Sequence, residues 1–173
     1  MKKNLKGIYA ATVVPLKKNK SINEIALKNH IKDIIKTNGI KGLLLNGHAG
    51  ENFTLHIDEQ IKVIKIAKKY KDLDKKLISG LNFEDAILAS EVARKMTKAG
   101  ADAILVFPPF SWSQGISEEM IFQHHKIICN KITKPVFLYQ SSIYSGHLSY
   151  KKNLLKKLLK IKNIIGVKEG SWD

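Results

Sequence analysis

The chain has 173 residues, 44% of them hydrophobic and 26% charged, which is enough to bury a core and too apolar for a disordered chain. Its formal net charge of +15 is almost wholly lysine, with Arg94 the only arginine. Lysines spread over every predicted helix, without arginine forks, exclude a nucleic-acid reader as the leading reading and predict no nucleic-acid partner.

Other classes fall away for equally simple reasons. No apolar run approaches the roughly eighteen residues that a membrane span requires. The basic start Met1-Lys2-Lys3-Asn4 leads into a helix pattern with no small-residue cleavage site, so it reads as mature protein. Cys129 is the sole cysteine, which excludes an intrachain disulfide and favours a reducing, cytoplasmic setting.

In chain order, apolar β-like runs fall at Ile8 to Val14, Gly42 to Leu45, Leu77 to Leu81, Ala103 to Phe107, Val136 to Tyr139 and Ile164 to Lys168. Helical patterns separate them. Ser21-Ile22-Asn23-Glu24 reads as a capping box before a stripe of Ile25, Leu27, Ile31, Ile34 and Ile35, closed by Gly39. A second helix is expected from Asp58 to Tyr70, and a third from Glu84 to Ala99, entered by Asn82. Ser117 opens a fourth ending near Ile132, and Ser149 a fifth ending around Lys160.

Strand starts roughly thirty residues apart, with a helix between each pair, describe repeated βαβ units. Strands apolar on both faces, such as Ala103-Ile104-Leu105-Val106, suit a helix-covered parallel sheet. No Gly-x-Gly-x-x-Gly or Walker loop follows a strand, so a (β/α)8 TIM barrel is preferred to a nucleotide-binding doubly wound sheet. Residues 1–173 are expected to form a single (β/α) barrel domain that stops after strand six, with the C-terminal part of a barrel of about 250 residues missing. Strand edges left open would then face solvent. The last helix alternates leucines with lysines at 151, 152, 156, 157, 160 and 162. A membrane-surface helix has that look, but its place in the βα series makes it a barrel helix with a solvated lysine face, and no membrane partner is expected.

Barrel chemistry sits at the C-terminal strand ends. Strand six ends in Gly166-Val167-Lys168-Glu169-Gly170, and period-two alternation puts Ile164, Gly166 and Lys168 on one face. Either that face lines a confined interior, where lost hydration makes the amine a nucleophile towards a ketone, or Lys168 marks a solvated strand end. Tyr139 either shuttles a proton at an imine carbon or fills the rim. Gly47 and Gly50 form a small anion nest or are turn glycines without a ligand. Between them, His48 is a candidate substrate contact or proton relay. His124, His125 and His30 fall within helices and are expected to be surface or capping residues. No His, Cys, Asp and Glu spacing describes a metal site.

With those residues assembled, the chain resembles the dihydrodipicolinate synthase and N-acetylneuraminate lyase family along its whole length, matching the N-terminal portion of a usual member. Gly7 to Leu16 resembles the opening strand, Gly47-His48-Ala49-Gly50-Glu51 the Gly-Thr-Thr-Gly-Glu loop, Pro135 to Tyr139 the tyrosine strand, and Gly166 to Asp173 the strand of the Schiff-base lysine. The resemblance implies that Lys168 condenses with pyruvate or a related 2-oxo acid, that Tyr139 assists proton transfer, and that Gly47, His48, Ala49 and Gly50 hold the acid's carboxylate. It implies no cofactor and no metal, and a homo-oligomer, commonly a tetramer.

Three departures from the family pattern bear on the substrate. His48 and Ala49 replace a hydroxyl pair. Phe110 stands where the synthases have a relay tyrosine, and Tyr144 where they have an arginine for the aldehyde's carboxylate, although Gly146 keeps the small-residue turn. Imine chemistry is expected to persist in outline, with true dihydrodipicolinate synthase activity in doubt. A sugar-acid or other 2-oxo-acid aldolase or dehydratase is the alternative enzyme. A non-catalytic binding or structural remnant is the alternative of another class.

Overall fold

Six strands alternate with five helices in the computed structural model, which describes residues 5–72 and 74–171. The strands are β1 (Ile8–Ala11), β2 (Ile40–Leu45), β3 (Lys76–Leu81), β4 (Ala103–Val106), β5 (Val136–Gln140) and β6 (Ile164–Glu169). The helices are α1 (Glu24–Lys36), α2 (Ile57–Tyr70), α3 (Ala86–Ala99), α4 (Glu118–Lys131) and α5 (Lys152–Leu158). This is the α/β order expected from the sequence. Short 3-10 turns at His48–Gly50, Phe110–Gln114 and Ile143–Leu148, each following a strand, were not foreseen. The chain divides into two units, one running up to Gly80 and including Lys98–Asp102, the other made of Leu81–Thr97 and the residues from Ala103 onward.

In the first unit β1, β2 and β3 are parallel neighbours in chain order. Leu43 and Leu45 on β2 and Leu77 on β3 are fully buried, because helices cover a parallel sheet on its faces. Asp102 ties the start of β3: its backbone N–H donates to Leu77 O (2.7 Å), and its carboxylate accepts from Leu77 N–H (3.1 Å). The α1 stripe is Leu27, Ile31 and Ile35, at four-residue spacing. Ile25, expected on that stripe, is exposed. Asn23, not Ser21, caps α1, accepting from Ala26 N–H at 3.1 Å. Ser21 is occupied otherwise, its hydroxyl donating to Asn19 Oδ1 (2.8 Å).

In the second unit β4, β5 and β6 are again parallel neighbours in chain order. Ser117 caps α4 as expected, its hydroxyl accepting from Met120 N–H at 3.2 Å. Asp85, not Asn82, begins α3, accepting from Leu88 N–H at 2.6 Å. Ser149 does not open α5, which starts after Lys151 and buries Leu154 and Leu158. Leu154 and Leu158 are packed inward, as the barrel-helix reading requires, while Leu155 is half-buried and Leu159 exposed.

His124 and His125 correct the expectation of surface residues. Both are buried on α4 beside Ile121, Ile128 and Cys129. His125 Nδ1 hydrogen-bonds Ile121 O (2.8 Å), and its Nε2 pairs with the Tyr150 hydroxyl (3.1 Å). His124 stands edge-on to Trp112, ring centroids 5.1 Å apart. Helix phase explains the burial: positions 121, 124, 125 and 128 share one face.

Burial disfavours the imidazolium and holds His125 at about 3 and His124 at about 4, against an ordinary 6.5. Both pKa values are depressed by folding, so the unfolded chain binds protons first. Their neutral state therefore contributes stability fully above pH 6.5, and that contribution drains as pH falls towards 4 and then 3. The urea midpoint should fall between pH 7.5 and 4.5, and His125→Gln should flatten the dependence while lowering stability at pH 7.5. A midpoint insensitive to pH over that interval would show that these rings do not carry the linkage.

Candidate active site

Parallel pairing of β5 with β6 sets the chemistry-bearing side chains of the second unit. Tyr139 is the register partner of Lys168, Phe137 of Gly166 and Gln140 of Glu169. Alternation then places Phe137, Tyr139, Gly166 and Lys168 on one face, and Leu138, Gln140, Val167 and Glu169 on the other. Lys168 Nζ lies 4.6 Å from the centroid of the Tyr139 ring. Phe107, the residue after β4, packs behind that ring at 5.0 Å between centroids and is buried. The phenol is thus wedged between an aromatic wall and the ammonium.

Lys168 is exposed on β6, the last strand of the described residues. Gly166 lies against its register partner Phe137. A Cβ there would meet the Phe137 ring at 3.0 Å, so the glycine accommodates that ring. Trp172 and Asp173, which close the strand-six motif, lie outside the described residues.

The loops after these strands are tied from behind. Ser111 donates its backbone N–H to Glu84 Oε1 (3.2 Å) and its hydroxyl to the other oxygen of the same carboxylate, holding the turn that carries Phe110. Phe110 is partly exposed. Tyr144 is 94% exposed, so packing does not hold its ring. Gly146 adopts φ +58°, a left-handed conformation in the middle of that turn. Glu169 Oε1 accepts from the Ser171 backbone N–H (2.6 Å) and from the Ser171 hydroxyl.

The first unit supplies the Gly47–Gly50 loop, which leaves β2 through a strained corner. Asn46 (φ +50°) and Glu51 (φ +51°) both take left-handed backbone conformations on either side of it. Asn46 is fully buried and its amide donates to Ser79 Oγ (3.0 Å) and to Gln60 O (3.1 Å), which stabilises the corner. Gly50 N–H donates to Gly47 O at 3.0 Å, closing a single 3-10 turn. A Cβ on Gly50 would meet Thr12 O at 3.0 Å, whereas one on Gly47 would touch only Leu44 methyls at 3.7 Å. Gly50 is therefore a packing residue against the segment after β1. His48 is half-buried, edge-on to Phe53 at 6.3 Å, and Ala49 is exposed.

The structure brings Lys168 and Tyr139 together on one face and places Phe107, Phe110, Tyr144 and Gly146 in the same unit. Gly47, His48, Ala49 and Gly50 belong to the other unit. Asn46, Glu84 and Gln140 had gone unremarked as supports. Their only sequence signal is a polar residue at or just beyond a strand end. Among the described residues no group of three or more His, Cys, Asp or Glu is placed to hold a metal ion. None of their helices is long and apolar enough to cross a membrane.

Successive parallel βα units are those of a (β/α)8 barrel, and comparison with known proteins bears out that class. The chain belongs to the dihydrodipicolinate synthetase family, whose model matches residues 4–173. It is similar in structure to the CdNal protein of Clostridium difficile, solved in complex with mannosamine (TM-score 0.86, 30% identity), covering 98% of this chain and 58% of that one. It is also similar to dihydrodipicolinate synthase from Aquifex aeolicus (TM-score 0.85, 25% identity, 97% of this chain and 56% of that one). N-acetylneuraminate lyase from Mycoplasma synoviae shares the fold (TM-score 0.85, 22% identity, 97% and 56%). The chain thus spans little more than half the length of these relatives.

The two loop glycines should respond differently to a methyl group. Gly50→Ala is expected to cost about 1–3 kcal/mol, because the opposing atom is a backbone carbonyl that cannot swing away. Gly47→Ala should stay within about 0.5 kcal/mol. Urea midpoints of the two variants measure both, and equal costs would reject the packing role of Gly50.

Proposed function

We propose that this chain carries the imine-forming residues of a Schiff-base lyase or aldolase acting on pyruvate or a related 2-oxo acid. The observation that carries the reading is the pairing of Tyr139 with Lys168 across β5 and β6, with Nζ 4.6 Å from the ring centroid. The Lys168 amine adds to the ketone carbon, and loss of water leaves a protonated imine that accepts the electron pair of the carbon–carbon bond one removed from the imine carbon, as the hydroxyl beyond that bond gives up its proton. In the lyase direction that bond breaks, the aldehyde leaves, and the resulting enamine takes a proton before hydrolysis returns pyruvate. Tyr139 is assigned proton transfer beside the imine carbon, at the oxygen lost as water and at the substrate's hydroxyl.

The Gly47, His48, Ala49 and Gly50 loop is assigned the acid's carboxylate. Because the Gly50 amide already closes the turn, the start of the loop is the side an anion would approach. No metal or cofactor takes part in the proposed reaction. The working enzyme is proposed to be a cytoplasmic homo-oligomer, with neither nucleic acid nor membrane as partner.

A sugar aldehyde, with the sugar acid as its aldol product, is favoured over aspartate semialdehyde for the aldehyde half. Phe110 and Tyr144 replace the synthases' relay hydroxyl and carboxylate-binding arginine, and CdNal was solved with an amino sugar, mannosamine. His48 and Tyr144 are then the residues that select the aldehyde. Offered a panel of aldehydes with pyruvate, the full-length protein should prefer uncharged sugar aldehydes. Preference for aspartate semialdehyde over all of them would sink this assignment.

Borohydride reduction in the presence of pyruvate tests the central step. One reduced adduct should form, mapping to Lys168 by peptide sequencing. Lys168→Ala should abolish it, and Tyr139→Phe should lower turnover by about 10²–10⁴-fold while trapping persists. Labelling scattered over helix lysines, unchanged by Lys168→Ala, would leave a non-catalytic protein on this fold as the better account.

A further inference from the structure

We propose that Gln140 is a positioning residue: its side-chain amide anchors the 141–149 loop to the outer face of β5 and so places Tyr144 and Gly146 for the aldehyde half of the reaction. The proposal rests on the imine reading of Lys168 and extends it to a residue on the opposite face of the strand. Gln140 follows Tyr139 directly, so the two side chains leave the strand in opposite directions.

The amide's hydrogen bonds are all made to the point where the loop returns to the body of the unit. Gln140 Nε2 donates to Ser149 Oγ (2.7 Å) and to Tyr150 O (3.3 Å), while Oε1 accepts from Tyr150 N–H (3.2 Å). One amide thus serves both backbone groups of Tyr150, as a neighbouring strand would. Tyr150 is itself buried, and its hydroxyl meets His125 Nε2 at 3.1 Å. Within the loop, Ser142 Oγ accepts from Tyr144 N–H (3.3 Å), Ser141 Oγ donates to Ser145 Oγ (3.1 Å) and Ser149 N–H donates to Gly146 O (3.0 Å). The loop therefore moves as a small tied body, and its placement depends on the two ends. The leading end is β5 itself; the trailing end is the Gln140 amide with the Tyr150 ring.

Losing the amide leaves Tyr150 seated by burial and by His125, so the unit should still fold. What shifts is the loop. Lys168 is held by β6 and should be indifferent, which separates the two halves of the reaction.

The test uses the full-length protein and two variants. Gln140→Ala removes the side chain, and Gln140→Met keeps its length but none of its hydrogen bonds. Both should raise KM for the aldol substrate by about tenfold with kcat within about threefold, while borohydride trapping of pyruvate at Lys168 stays at the wild-type level. Amide hydrogen exchange of Tyr144 to Tyr150 should quicken in both. Unchanged KM in both variants, rescue by Gln140→Met, or pyruvate trapping lost together with aldol turnover would overturn the proposal. Wild-type protein that traps no pyruvate would instead remove the imine reading, and the assigned role of Gln140 with it, even if exchange responds.

Discussion

Register between β5 and β6 is the constraint on which the rest of the site depends. A slip of one residue in either strand would send its side chains to the opposite face, separating Lys168 from Tyr139 and exchanging Tyr139 with Gln140. The register is held from both sides of the pair. Phe137 lies against Gly166, where a larger residue would collide with the ring, and Gly170 N–H donates to Gln140 O at 3.0 Å just beyond the strands. Lys168 and Tyr139 are thus held opposite each other by backbone pairing and by the Phe137–Gly166 contact.

This division of labour between strand faces explains why neighbouring residues have opposite characters. Tyr139 and Lys168 share the face proposed for the substrate, while Gln140 and Glu169 reach loop residues on the other. Gln140 bonds to Ser149 and Tyr150, and Glu169 to Ser171. Glu84 does the same for the turn that carries Phe110. Each turn bearing a candidate substrate contact in this unit is therefore tied by a polar side chain from a neighbouring segment, so its position follows the scaffold more than its own sequence.

Much of the fold was legible from periodicity, because both faces of a covered parallel strand are apolar and each helix shows one stripe. Ser117 was readable as a cap, yet the rule misled at Ser21, since Asn23 two residues on competes for the same role and its carbonyl oxygen wins. The buried His124 and His125 were also within reach. With Ile121, Ile128 and Cys129 they complete an i, i+3, i+4, i+7, i+8 stripe, and reading histidine as polar concealed the phase. Lys168 and Tyr139 stood out because a charged residue and a phenol end otherwise apolar strands. Gln140 did not, since its partners lie nine and ten residues on, across a loop whose path no spacing rule yields. For Lys168 both a confined and a solvated setting stayed open, because alternation assigns a face and says nothing of what stands over it.

The departures from the family pattern fall where this architecture tolerates them. Phe110 and Tyr144 sit in 3-10 turns, partly or almost wholly exposed, so exchanging their side chains disturbs little packing. Lys168, Tyr139 and the buried Phe107 stand on or at the end of strands, where a change would have to be absorbed by neighbours in register. A scaffold of this kind keeps the nucleophile while its loops change the partner molecule, because the energetic cost of substitution differs between the two sets of positions. An altered aldehyde choice, as proposed, predicts substitutions at loop positions such as Phe110 and Tyr144, whereas decay of the whole site predicts substitutions with no preference for loops, reaching Gly166 and Phe137 as readily as Tyr144.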